Sequence, residues 1–197
     1  MNPPRAFSAY AFDFDGTLVD TMGLHFEAYR RVFEEAGLEL TREDFFDNIG
    51  GKASETIPLF LRGRPCALTV PELHARKKKQ VADLFREADL TVLPSARLLP
   101  VLSQLAPLAL VSSGSRPGIE QLLDRLGWRS YFKVIVTGED TERSKPDPMP
   151  YLLAADLLGV LPAEMLAFED TVAGWDSARA AGMTVFLVEG NSPVSVS

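Results

Sequence analysis

The chain has 197 residues, 46% of them hydrophobic and 24% charged, a balance that excludes disorder and leaves enough apolar material for a sizeable core. A formal net charge of −7 argues against a concentrated basic surface, and so against nucleic acid as the main partner. Cys66 is the only cysteine, which excludes an intrachain disulfide, and no run approaches the ~18 apolar residues of a membrane span, so a cytoplasmic, membrane-free protein is expected.

The first apolar run, 10–14 (YAFDF), predicts a short buried strand ending near Asp13 and Asp15, whose two-residue spacing would turn both carboxylates to one side. No further strand is predicted until after residue 94, too long a gap for a single crossover. Helical patterns fill it. His25, Tyr29, Val32, Phe33 and Ala36 share one face of a helix that stops at Gly37, and Thr41 caps a second that closes at Gly50–Gly51. A third covers 71–88 and begins at Pro71; its run Arg76–Lys79 reads as a solvated face. Beyond Pro94 and Pro100 the rhythm changes. Apolar strands at 108–111 (LALV), 133–136 (KVIV), 165–168 (MLAF) and 183–188 (MTVFLV) alternate with helices at about 117–127, 148–158 and 173–181. That alternation predicts an α/β fold with a parallel sheet covered on both faces.

Ligands of such sheets bind outside the carboxyl ends of the strands. The first strand delivers Asp13 and Asp15 there, with Gly16 behind them for a tight turn. The second runs into Ser112, Ser113 and Gly114 before a helix, a place where hydroxyls and N–H groups can hold an anion. Lys145 follows the third, and the fourth ends in Glu169–Asp170. Hard oxygen ligands suit Mg²⁺, and a metal, an anion cradle and a cation around two carboxylates meet the needs of phosphoryl transfer. One of Asp13 and Asp15 would attack phosphorus and the other carry the proton. An EF-hand reading fails, because Gly16 follows Asp15 directly.

The segments DFDGTLVDT, VSSGS, SKPDP and FEDTVAGWDSARAAGM resemble, in order and spacing, the four motifs of the haloacid dehalogenase (HAD) superfamily, in its small sugar-phosphate phosphatase and β-phosphoglucomutase-like group. The resemblance covers about residues 8–188. It implies a Rossmann-like three-layer core from residues 1–19 and 95–197, with an inserted all-helical cap, 20–94, that selects the substrate. It further implies Asp13 as nucleophile and Asp15 as general acid/base. Ser112, Ser113, Gly114 and Lys145 would hold the phosphoryl group. Asp13, the Asp15 carbonyl, Glu169 and Asp170 would hold Mg²⁺, Glu169 directly or through water. Thr21, His25 and Lys52 become candidates for cap or substrate contacts, whereas His74 and Cys66 gain no chemical role.

The dehalogenase branch lacks an acid at the second position, so Asp15 favours phosphate chemistry. The implied activity is Mg²⁺-dependent hydrolysis of a small phosphomonoester, most simply a sugar phosphate, through an aspartyl phosphate. A phosphomutase is the alternative, weakened because the cap loop GGKASE lacks an arginine for a second phosphate. A non-catalytic sugar-phosphate sensor would be expected to have lost one of the four key side chains. A monomer is expected, with a dimer as the alternative.

Overall fold

In the computed structural model, residues 7–49 and 53–188 are described. Five short apolar runs form one sheet: β1 (Ala9–Phe12), β4 (Leu108–Val111), β5 (Phe132–Val136), β6 (Met165–Glu169) and β7 (Thr184–Leu187). All pairings are parallel, in the order β5-β4-β1-β6-β7. Every residue of β1 and β4 is buried, as continuous apolar strands in the middle of a covered sheet should be.

The two faces differ in bulk. Tyr10, Phe12, Leu108, Leu110 and Phe168 point to one side, where Phe12 and Phe168 stack at 4.4 Å between ring centroids. Ala9, Ala11, Ala109 and Ala167 point to the other. Helices α5 (Leu99–Leu105) and α6 (Arg116–Leu126) contribute Leu99, Ile119, Leu122 and Leu123 to the bulky side, and α7 (Met149–Leu158) and α8 (Val172–Ala180) contribute Tyr151, Ala154 and Ala178 to the small one. Three layers result. Because β1 lies between β4 and β6, chain order runs outward in both directions from it, and the crevice of this switch point opens at its carboxyl end.

The chain leaves the sheet through β2 (Val19–Asp20) and returns through β3 (Thr91–Val92), which pair antiparallel. Between them lie α1 (Met22–Glu35), α2 (Arg42–Asn48), α3 (Ala53–Leu61) and α4 (Val70–Glu87), the helical cap. It has its own core of Tyr29, Phe33, Phe45, Ile57, Phe60 and Leu73. Thr41 caps α2 by accepting from the Asp44 N–H. Thr69 and Glu72 form a reciprocal capping box, which starts α4 at Val70 rather than Pro71.

The β2–β3 ribbon departs from the sequence reading, which expected no further strand before residue 94, because two-residue strands are too short to show a pattern; three further elements differ. Strand β1 stops at Phe12 instead of continuing to Phe14, because Leu18 and Val19 N–H groups both turn back to the Phe14 carbonyl. Helix α3 was hidden by Pro58, which lies within it yet leaves Ile57 and Phe60 free to enter the cap core. Helix α5 was obscured by Pro100 in its first turn, a position where proline costs nothing. Among the described residues, no helix is long and apolar enough to cross a membrane.

Phe60 is fully enclosed and meets the Tyr29 ring edge-on at 5.0 Å. Phe60→Ala should lower unfolding free energy by about 3–5 kcal/mol, read from urea titration.

Candidate active site

The end of β1 hands over to Asp13, which is tied to β6 by its N–H to the Phe168 carbonyl. The Lys145 ammonium donates to Asp13 Oδ1 at 2.7 Å, to the Val111 carbonyl at 2.9 Å and to Glu169 Oε1 at 2.5 Å. Tyr151 on α7 donates its hydroxyl to the same Glu169 oxygen. These charges are withdrawn from water, with side-chain exposures of 4% for Lys145, 10% for Asp13 and 0% for Glu169. Burial disfavours the lysine's charge, but Asp13 and Glu169 outweigh it and hold the ammonium well above the usual lysine range. Asp13 is pushed well above the usual carboxylate range, chiefly by burial and against the pull of Lys145, with Glu169, Asp170 and Asp15 adding repulsion.

Asp170 completes this corner. Thr17 donates to its Oδ1 at 2.9 Å, and burial, reinforced by Glu169, pushes its carboxyl up to about 6. Two glycines make room for the acids. A Cβ on Gly16, whose φ is +88°, would lie 2.1 Å from Asp170 Oδ2, and one on Gly174 would lie 2.0 Å from the Glu169 carboxyl carbon. Asp13, Glu169 and Asp170 bring one oxygen each within 4.8 Å of one another. Three carboxylates against one ammonium leave a buried excess of negative charge, and an all-oxygen donor set of this kind fits a hard divalent cation.

Asp15 sits in a separate network, not beside Asp13 on one strand as its spacing suggested. Thr21 donates to its Oδ1 at 2.5 Å, His25 Nε2 approaches the same oxygen at 3.1 Å, and Ser112 donates to Oδ2 at 3.3 Å. The Gly114 N–H donates to the Ser112 hydroxyl at 2.9 Å and orients it. On the far side of the imidazole, Lys77 Nζ lies 3.1 Å from His25 Nδ1. An ammonium can only donate, so Nδ1 accepts and the ring proton resides on Nε2, facing Asp15. Burial works against the Asp15 charge, but His25, Thr21 and Lys77 overcome it and draw its carboxyl down to about 2. Lys77 itself is lowered to about 8, mainly by burial.

Asp13, Asp15, Ser113, Gly114, His25 and Lys145 all border one cleft of about 190 Å³ between cap and core. Lys52 lies outside the described residues. Thr21 and His25 both touch Asp15. The run Arg76–Lys79 is not one solvated face: Lys77 turns inward and also covers the Tyr29 ring at 4.9 Å. Its spacing from Leu73 and Val81, four residues either way, was the signal that puts it on the inward stripe of α4.

Residues 10–188 match the family described as haloacid dehalogenase-like hydrolase. A phosphorylated carbohydrates phosphatase of Thermotoga maritima is 34% identical over 181 residues, spanning 89% of this chain and 82% of that protein. The fructose-1-phosphate phosphatase YqaB of Escherichia coli (strain K12) is 31% identical over 178 residues, 90% of this chain and 94% of the relative. Among solved structures, CbbY from Rhodobacter sphaeroides in complex with phosphate superposes with a TM-score of 0.84 at 29% identity, covering 91% of this chain and 84% of that one. The chain belongs to the haloacid dehalogenase-like hydrolases and is a phosphoric monoester hydrolase of that family.

Gly16→Ala combines a left-handed backbone with the Asp170 contact, so it should destabilise the fold by about 1–3 kcal/mol and sharply reduce phosphatase activity. Thermal unfolding and turnover of the purified variant check both effects.

Proposed function

We propose that the protein hydrolyses a small sugar phosphate in a Mg²⁺-dependent reaction through an aspartyl phosphate on Asp13. The observation that carries this reading is the division of two nearby carboxylates between different partners. Asp13 faces Lys145 and the acid corner, whereas Asp15 faces donors from the cap hinge.

An Asp13 oxygen attacks phosphorus as the bond from phosphorus to the sugar oxygen breaks, and Asp15 delivers a proton to that leaving oxygen. Asp15 then takes a proton from water, whose oxygen attacks phosphorus and breaks the bond to Asp13, releasing inorganic phosphate. In the free protein the donors around Asp15 favour its ionised form. A phosphate dianion beside it acts oppositely, raising its proton affinity as like charge does. The Ser112 hydroxyl and the Ser113–Gly114 turn would bind the phosphoryl oxygens, and Lys145, held against Asp13, would offset their charge. Asp13, the Asp15 carbonyl and Asp170 would hold Mg²⁺, with Glu169 either in the same shell or reaching it through water; the ion would offset the negative charge of acids and phosphate together.

His25 and Lys77 are positioning residues, which fix the tautomer that faces Asp15. The domain division falls at the β2–β3 ribbon, with 1–19 and 95–197 as catalytic core and 20–94 as cap. Hydrolysis is favoured over a mutase because a mutase must anchor a second phosphate. Among the described residues, the cleft lysines already have partners: Lys145 with Asp13 and Glu169, Lys77 with His25, and Lys78 with Glu139. A cytoplasmic monomer is the state in which we place this activity.

A panel of sugar phosphates assayed with and without Mg²⁺ tests the reading. Asp13→Asn should abolish turnover and phosphoenzyme formation, and Asp15→Asn should slow both steps by about 10²–10⁴. Ordinary turnover by Asp13→Asn would refute the assignment. Independently of activity, Mg²⁺ at a hundred times its Kd should stabilise the wild type by about 2.7 kcal/mol in thermal unfolding. Asp170→Asn should lose most of that gain.

A further inference from the structure

Helix α4 turns a stripe of five side chains towards the cleft: His74, Lys77, Lys78, Val81 and Phe85. They follow helical spacing and divide by chemistry along the helix. Val81 and Phe85 form an apolar stretch that meets Ile119 of α6 across the cleft. Lys77 serves His25 and, through it, Asp15. Lys78 crosses to the core and pairs with Glu139 at 2.7 Å, in the loop after β5. The other Glu139 oxygen accepts the Arg116 N–H at the start of α6 at 2.6 Å. His74 lies one helical turn before this pair.

His74 differs from the other histidine of the cleft. Both ring nitrogens of His25 are engaged, by Asp15 and by Lys77. Among the described residues, the ring nitrogens of His74 have no hydrogen-bond partner, although the side chain borders the cleft and is only half-exposed.

We propose that His74, together with the Lys78–Glu139 pair, forms a subsite for hydroxyl groups on the leaving-group end of the substrate, and that His74 is a specificity-determining residue. This inference rests on the phosphomonoesterase reading above and adds the chemistry of the group that leaves. A hydroxyl both donates and accepts, and the subsite offers both. The neutral imidazole supplies one donor and one acceptor, Lys78 keeps further N–H groups beyond its bond to Glu139, and each Glu139 oxygen keeps a free lone-pair direction. Partial burial, with Lys78 and Lys77 nearby, holds His74 below the usual histidine range and so in its neutral form at pH 7.

The same arrangement disfavours a second phosphate. The Lys78 charge is already neutralised by Glu139, and the carboxylate would repel a dianion. His74 lies three residues, about 4.5 Å along the helix, from Lys77, which serves the Asp15 network. A hydroxyl-binding subsite favours pentose and hexose monophosphates, whose leaving groups carry hydroxyl groups beyond the scissile oxygen, over acetyl phosphate, whose leaving group carries none. Since His74 and Lys78 belong to the cap and Glu139 to the core, such a substrate would join the two.

The test compares kcat/KM for pentose and hexose monophosphates with that for acetyl phosphate, in wild type, His74→Ala and His74→Gln. His74→Ala should lower the value for the sugar phosphates about tenfold more than for acetyl phosphate, mainly through KM, as expected for one lost hydrogen bond. Glutamine, which can donate and accept, should recover part of it. Equal losses on both substrate types would overturn the subsite, as would a wild-type preference for sugar bisphosphates over monophosphates. Sugar phosphate turnover that disappears in Asp13→Asn would uphold the phosphatase reading even if the subsite fails. Absence of wild-type turnover on every sugar phosphate would overturn both.

Discussion

Among the described residues, Lys145 is the one positive charge inside a pocket of three carboxylates, and the architecture around the site can be understood as a way of keeping it there. An ammonium so far from water is tolerable only with complete satisfaction of its N–H groups, and it has it: two carboxylates and the Val111 carbonyl. Each partner comes from a different strand end, so the ion pair exists only when β1, β4 and β6 are in register. The converse also holds. Removing Lys145 would leave Asp13 and Glu169 facing each other with little solvent to share the repulsion, an effect on folding as well as on phosphate binding.

The cap adds a second electrostatic unit on a different principle. Here the acid is kept ionised by donors that include His25 of helix α1, and by the charge of Lys77 on α4 behind that histidine. Two aspartates separated by one residue in sequence thus reside in different environments, Asp13 against Lys145 and Asp15 against donors from the cap hinge. The insertion point makes this possible. By leaving through β2, a short turn after Asp15, and returning through β3 beside its own exit, the chain hangs an entire helical layer over the acid without disturbing the strands.

Much of this was legible from the residues. The strand ends and their acids, serines and lysine could be located because continuous apolar runs leave little doubt where a buried strand lies. Helix α4 was legible too, but not the direction of its lysines: a cluster of four cations looks solvated until its helical phase is set by Leu73 and Val81. The prolines obscured α3 and α5, since each falls where tertiary packing or the first-turn position removes its usual penalty. The separation of Asp13 from Asp15 into two networks could not be read from their spacing, because it depends on the turn at Phe14 and on partners many residues away, Lys145 above all. That the His74 nitrogens lack a partner among the described residues was equally hidden, as only the packed cleft distinguishes a histidine with partners from one without.

The alanines of the sheet carry a consequence for distant substitutions. Ala9, Ala11, Ala109 and Ala167 take up little of the layer between the strands and helices α7 and α8, which Tyr151, Val111, Val136 and Met165 fill without exposure to solvent. Tyr151, which holds Glu169, rides on α7, while Thr171 and Gly174, which frame the same acid, are set by the start of α8. A single added methyl group under either helix has no rotamer into which it can retreat, and the displacement would travel along the helix to the acid corner. Fidelity of the charged site therefore depends on residues with almost no chemistry of their own, whose contribution is to take up so little space.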